Sequence, residues 1–215
     1  MATTVDGRDA RWAAHRITRR RELVEHALRA IRRHGAAVGM DEIAAQAGTS
    51  KTVIYRHFGD RAGLYAAVGE AVHAYILSDL TAALQLSDPA DLGRLTTDLA
   101  AAYLALVERD PEIYRFVMSP PIETGTPVDP AAGLPTLIGD RIESAISHHL
   151  RETGQDEARA ATWGHGLVGF IRAAADRWMA SDPRPPADEI VGHITTLFVP
   201  ALAAGLSEAP RSQER

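Results

Sequence analysis

Apolar residues in this chain return every three or four positions, and glycine or proline cuts the runs into segments of helical length. Val24, Ala27, Leu28 and Ile31 fall at i, i+3, i+4 and i+7, one stripe along a helix. Leu64, Val68, Val72, Tyr75 and Ile76 make a second stripe, and Leu92, Leu95, Leu99, Tyr103 and Leu106 a third. Leu137, Ile138, Ile142 and Ile146 continue the pattern, and Ile190, Val191, Ile194, Leu197, Phe198 and Leu202 close it. No segment alternates with the period of two that a half-buried strand needs, and no internal repeat is present. The chain is therefore expected to be all-α, with about nine helices.

The breaks place those helices. Residues 1–18 carry scattered arginines without a sustained apolar period, so a flexible basic arm is expected to run into the first helix near Ile17 to Arg19. Arg32, Arg33 and His34 suit the negative end of that helix, and Gly35 suits its C′ position. A short helix, Met40 to Ala47, starts after Gly39 and is closed by Gly48. Ser50 caps a third helix, Lys51 to His57, and Gly59-Asp60 separates it from a fourth that runs to about Leu86. Ser87-Asp88-Pro89 and Asp110-Pro111 are further stop-and-start signals. Residues 119–133 are rich in proline and glycine and are expected to form a loop. Later helices are expected over Leu134 to Leu150, ended by Gly154, and over Asp156 to Met179. After the break at Asp182 to Pro186 comes the last helix, with Pro200 inside it, and a polar tail from Ser207.

Composition narrows the class. At 46% hydrophobic and 24% charged, the 215 residues lie well away from disordered chains. The absence of cysteine removes disulfide frameworks, thiolate zinc sites and thiol nucleophiles. No apolar run reaches the roughly 18 residues of a membrane span, and Met1 to Arg21 lacks the apolar segment of a secretory signal. A cytoplasmic protein without membrane association is expected. The net charge of −5 is unevenly spread: residues 1–65 carry +5 and residues 66–215 carry −10. The front can neutralise phosphates, while the remainder would be repelled by them.

Within the basic front, Ala47-Gly48-Thr49-Ser50 joins two short helices in a helix-turn-helix pattern. Gly48 permits a positive φ at the sharp turn, Ala44 is small where the helices approach, and Ile43, Val53 and Ile54 face the first helix. The capped helix presents Lys51, Thr52, Tyr55, Arg56 and His57, which carry donors suited to base edges and phosphates. The run from Ile43 to Leu64, most of all Tyr55-Arg56-His57-Phe58 followed by Arg61 and Leu64, closely resembles the DNA-binding signature of the tetracycline-repressor family, over roughly residues 20–65.

That resemblance implies a homodimeric, ligand-responsive transcriptional regulator, usually a repressor, paired through its last two helices on a palindromic double-stranded operator. It divides the chain into the basic arm 1–18, a helix-turn-helix DNA-binding domain 19–65, a ligand-binding and dimerisation domain 66–206, and a polar tail 207–215. Carried over by position, Lys51, Thr52, Tyr55, His57 and Arg61 fall where the family contacts DNA; with the cap residue Ser50 and the donor-bearing Arg56 of the same helix they are the expected DNA-binding residues. Tyr55, His57 and Arg61 correspond to phosphate contacts. Arg61 stands where lysine is usual, and Gly39 where a hydroxyl residue is usual. Arg8, Arg11, Arg16, Arg19, Arg20 and Arg21 precede or open the first helix, and arginine arms can meet phosphates or enter a minor groove.

The second domain is less explicit. Gly164-His165-Gly166-Leu167-Val168-Gly169 matches a nucleotide-loop pattern, but it neither follows a strand nor opens a helix. These glycines, with Ala160, Ala161 and Ala173 to Ala175, instead describe a small-residue helix surface suited to close packing at a core or dimer seam. His148 and His149 are adjacent and cannot share one helical face, and His165 or His193 could join them only if the fold brought them near. No metal site, no cofactor and no catalytic constellation is expected. Tyr75, Tyr103, Tyr114, Phe116, Met118, Trp163, Phe170 and Trp178 are candidates for lining an effector pocket. The sparse charge in the stripes favours a lipophilic or acyl-type effector. Two rival readings are a helical small-molecule-binding protein without operator binding, and an enzyme, for which the sequence offers no polar constellation.

Overall fold

The computed structural model describes residues 7–85, 91–118 and 134–207. Among them are nine α-helices and no strand: α1 (Gly7–His34), α2 (Met40–Gln46), α3 (Lys51–Phe58), α4 (Arg61–Gln85), α5 (Leu92–Arg109), α6 (Pro111–Met118), α7 (Leu134–Glu152), α8 (Ala160–Met179) and α9 (Ala187–Ser207). A 3₁₀ turn, Glu157–Arg159, precedes α8. The expected all-α architecture is what the chain adopts. The loop expected over residues 119–133 and the tail beyond Ser207 lie outside the described residues. None of the helices described is long and apolar enough to cross a membrane.

One difference concerns the first helix. It begins at Gly7, ten residues before the start expected near Ile17. Residues 8–34 contain neither glycine nor proline and are rich in arginine and alanine, which favour helix. On its early turns, Trp12 is 72% and Ile17 69% exposed. No apolar period runs through them, so periodicity could not reveal that start.

The described chain forms two compact units, residues 7–73 with 110–118, and residues 74–85 and 91–109 with 134–207. In the first unit, Leu23, Ala27 and Ile31 of α1, Ile43 of α2, Ile54 and Phe58 of α3, and Leu64 and Val68 of α4 are buried together. Burying each such Leu, Ile or Phe side chain is worth about 1.5–3 kcal/mol. Helix α6 joins this unit. Arg32 donates to both Asp110 oxygens at 2.7 and 3.2 Å, and Glu112 accepts from the Ala36 amide at 3.1 Å. Its Phe116 meets Tyr65 edge-on, with centroids 5.0 Å apart. The Tyr65 hydroxyl in turn donates to the Val38 carbonyl at 2.9 Å.

In the second unit, the α5 stripe is buried throughout, as are Ile138, Ile142 and Ile146 of α7. Leu137 is not: it shares the stripe but is 49% exposed. Helix α9 departs furthest from its pattern. Ile194 and Leu202 are buried, whereas Leu197 is 56% exposed. Phe170 of α8 is 40% exposed and packs edge-on against Phe198 of α9 at 4.9 Å. A stripe states which residues share a face. It does not state what covers that face.

Candidate nucleic-acid interface

The α2–α3 turn is built by short-range hydrogen bonds. The Gly48 and Thr49 amides donate to the carbonyls of Ala45 and Ala44 at 3.1 and 3.0 Å, closing α2. Gly48 has φ +59°, the left-handed region that glycine enters without a Cβ penalty. Ser50 then turns extended, and its Oγ accepts from the Val53 amide at 3.4 Å, capping α3. With α2 and α3 locked at this turn, Ile43, Ala44, Ile54 and Phe58 go inward.

The opposite side of α3 is open. Lys51, Thr52, Tyr55 and Arg56 are exposed, and His57 is half-buried. The helix thus offers an ammonium, a hydroxyl, a phenol and a guanidinium to solvent within two turns. Lys51 Nζ is held 2.8 Å from Asp41 of α2, and that carboxylate raises the lysine pKa above its ordinary value, first by hydrogen bonding and then by charge. The His57 imidazole is held below the ordinary histidine range. Burial is the main cause, followed by the charges of Arg56, Arg19, Arg20 and Arg16. Arg16, Arg19 and Arg20 of α1 are therefore near enough to act on the end of α3, making one positive surface from two helices. Arg20 also donates to the His57 carbonyl. At the start of α4, Asp60 Oδ1 accepts from the Gly63 amide at 2.7 Å. The half-buried Arg61 lies over the Tyr65 ring at 5.0 Å.

The seven residues expected from the sequence thus lie on one short helix, its cap and the start of the next. Sequence reasoning did not find the pairing of Asp41 with Lys51 or the clasp of Arg20 on His57. Neither has a local signal, because each joins residues of different helices. The side chains of Arg8 and Arg11 lie outside the described residues.

The eight effector-pocket candidates are divided between the two units. Tyr114, Phe116 and Met118 belong to the first unit, where Phe116 is fully buried. The others lie in the second unit. Tyr103 is buried and Tyr75 lies under the Arg109 guanidinium at 4.6 Å. Trp163 is stacked by Arg159 at 5.4 Å, and Phe170 is on the surface. Trp178 is buried and donates its indole N–H to the Pro185 carbonyl at 2.7 Å. A cleft of about 250 Å³ in the same unit is lined instead by Leu77, Leu80 and Thr81 of α4 and by Leu137, Ile138 and Arg141 of α7.

Residues 23–68 match the family described as bacterial regulatory proteins, tetR family, and residues 80–212 match the tetracyclin repressor-like C-terminal domain. An uncharacterised HTH-type transcriptional regulator of Mycobacterium tuberculosis is 37% identical over 216 residues, covering 100% of this chain and 90% of that protein. The HTH-type transcriptional activator FasR of Mycolicibacterium smegmatis is 30% identical over 81% of this chain and 76% of its own length. Among solved structures, a TetR-family regulator from Pectobacterium atrosepticum has a TM-score of 0.68 at 24% identity, over 92% of this chain and 98% of that one. FadR from Bacillus subtilis, in complex with stearoyl-CoA, has a TM-score of 0.68 at 12% identity, over 83% and 96%. AibR, in complex with isovaleryl coenzyme A and operator DNA, has a TM-score of 0.62 at 20% identity, over 84% and 98%.

Proposed function

The chain belongs to the tetracycline-repressor family of transcriptional regulators, and on that premise we propose that it is a homodimeric operator-binding repressor released by a lipophilic, acyl-type effector. One observation carries the reading. The outer side of α3 is free of packing and bears Lys51, Thr52, Tyr55 and Arg56, with arginines of α1 beside its end. Such a helix fits a major groove, with its first turns toward base edges and the flanking cations on phosphates. Ser50, Lys51, Thr52, Tyr55, Arg56, His57 and Arg61 are the proposed DNA contacts. Lys51 exchanges Asp41 for a phosphate when the duplex arrives.

The uncovered apolar residues Phe170 and Leu197 support a dimer formed through α8 and α9. Gly166 and Gly169 of α8 have open space beside them, which allows a second helix to approach closely. Two protomers then present two recognition helices to half-sites about one helical turn or a little more apart.

The cleft between α4 and α7 supports the effector class. Its lining is aliphatic except for Thr81 and Arg141, which suits an apolar chain ending in an anionic group. FadR and AibR, which share the fold, are each found with an acyl-coenzyme A. The effector acts by binding more tightly to a conformation that does not fit the operator spacing. Action on the genome places the protein in the cytoplasm. A gel shift with DNA from the region upstream of its own gene tests the reading. A retarded band that competes with specific but not random duplex is expected, and long-chain acyl-coenzyme A should release it. Transcription of a reporter carrying that region should rise when the protein is deleted. No specific band would overturn the operator reading.

A further inference from the structure

Helices α7 and α8 pack with their backbones close at one level, and glycines on both sides permit it. A Cβ on Gly164 would lie 2.7 Å from the Glu143 amide nitrogen, and one on Gly139 would lie 2.3 Å from His165 Nδ1. The first glycine of the Gly164 to Gly169 run therefore has a definite task. It lowers α8 onto α7 so that the His165 ring rests on the bare backbone at Gly139. In that position, His165 Nε2 is 3.2 Å from Asp140 Oδ1 and 3.4 Å from Glu143 Oε2. One nitrogen and two carboxylate oxygens, all within 4.8 Å of one another, converge from two helices.

We propose that Asp140, Glu143 and His165 form a binding site for a divalent first-row transition ion of the zinc type, pinning α7 to α8. Three arguments favour an ion over a bare ion pair. First, an imidazole Nε2 carries at most one hydrogen, which can make a straight hydrogen bond to one carboxylate only and is weakened when shared between two, whereas a cation placed among the three serves all of them. Second, bonds of about 2.0–2.2 Å to nitrogen and carboxylate oxygen set neighbouring ligand atoms roughly 3–3.5 Å apart. The two nitrogen–oxygen separations fall in that interval. Third, among the described residues neither carboxylate is paired with an arginine or lysine, so two negative groups face one imidazole without another cation. A set of one imidazole and two carboxylates with open positions suits Zn²⁺, Mn²⁺ or Fe²⁺. The imidazole is half-buried and the carboxylates reach the surface, so an ion has an entry path. The site is independent of the DNA-binding reading, and its failure would leave that reading intact.

The test is calorimetric titration of ZnCl₂ into the chelator-treated full chain, with cobalt absorption as a second readout. One ion per protomer is expected, and Co²⁺ should show visible bands of a nitrogen–oxygen site. His165→Gln, Glu143→Gln and Asp140→Asn should each weaken binding by about tenfold or more, with helix content by circular dichroism unchanged. His148→Gln, which alters a histidine of α7 that pairs with Glu152, should leave binding as it was. Absence of binding in the parent chain would overturn the proposal. So would zinc binding of parental affinity in all three ligand variants.

Discussion

Arg20 Nη1 donates to the main-chain carbonyl of His57 at 2.6 Å, and the same guanidinium lies 4.3 Å above the centre of the Phe58 ring. The contact ties α1 to the last turn of α3. It satisfies a carbonyl at a helix end and sets a cation at the negative end of the dipole. An arginine expected to be part of an arm therefore helps to hold the recognition helix.

Arg20→Ala should lower stability by about 1 kcal/mol, from the lost hydrogen bond and cation–π contact. It should also weaken operator binding. Arg20→Lys keeps the charge without the planar stack and should fall between the two. Thermal unfolding and fluorescence anisotropy measure both effects, and an unchanged melting curve for Arg20→Ala would remove the clasp.

Tyr55→Ala and His57→Ala should each reduce operator affinity about tenfold, ~1.4 kcal/mol. Circular dichroism and sedimentation should stay as in the parent, because the Tyr55 side chain is on the surface and Ile54 and Phe58 supply the buried side of α3. Parental affinity in either variant would take that residue off the contact surface.

Charge at the interface is testable through salt. Arg61→Ala should flatten the slope of log K against log salt by about one unit if its guanidinium meets one phosphate. Asp41→Asn releases Lys51 and removes a negative charge beside it, so affinity should rise several-fold. A parental salt slope in the first variant, or weaker binding in the second, would contradict these assignments.

The depressed pKa of His57 fixes a pH dependence. The unfolded chain takes up this proton near pH 6.5, about the ordinary histidine value, whereas the folded chain does so only at lower pH. The site's contribution to stability is complete above the unfolded value and is lost as pH falls through the lowered folded value. A phosphate at the imidazole favours its protonated form and so raises its affinity for the proton against the burial and the arginine charges that lower it. Operator affinity should therefore rise as pH is lowered from about 7.5 to 6, and this component should vanish in His57→Gln. An identical pH profile in that variant would exclude His57 as the titrating group.

Leu197→Glu should dissociate the dimer, because the charge falls at an exposed apolar position of α9 that the proposed partner covers. Sedimentation should find monomer with normal helix content, and operator affinity should fall because the second recognition helix is lost. A dimer as stable as the parent's would place the interface elsewhere.

Much of this molecule is legible along the chain. The turn at Gly48, the Ser50 cap and the exposed side of α3 depend on residues within one or two helical turns of each other, a range over which spacing and backbone preference are informative. The start of α1 is not legible, since Trp12 and Ile17 on its early turns are exposed and no apolar period runs through them. Leu137 and Leu197 fit their stripes and still face outward, because periodicity reports a shared face and not its neighbour. The aromatic candidates are divided between the two units. The Arg32 and Asp110 pair and the contact of Tyr65 with Phe116 draw α6 into the first unit, and with it Tyr114, Phe116 and Met118.

The order of residues alone determined an all-helical chain with a basic helix-turn-helix at its front, because each of those features is set by neighbours a few positions apart. Tertiary structure decided that Arg20 would close on His57, 37 positions away. It also decided that His165 would come to rest between Asp140 and Glu143. Those meetings depend on how closely two helices pack and at what level, and that follows from the shape of whole surfaces, such as the bare backbone at Gly139 and Gly164.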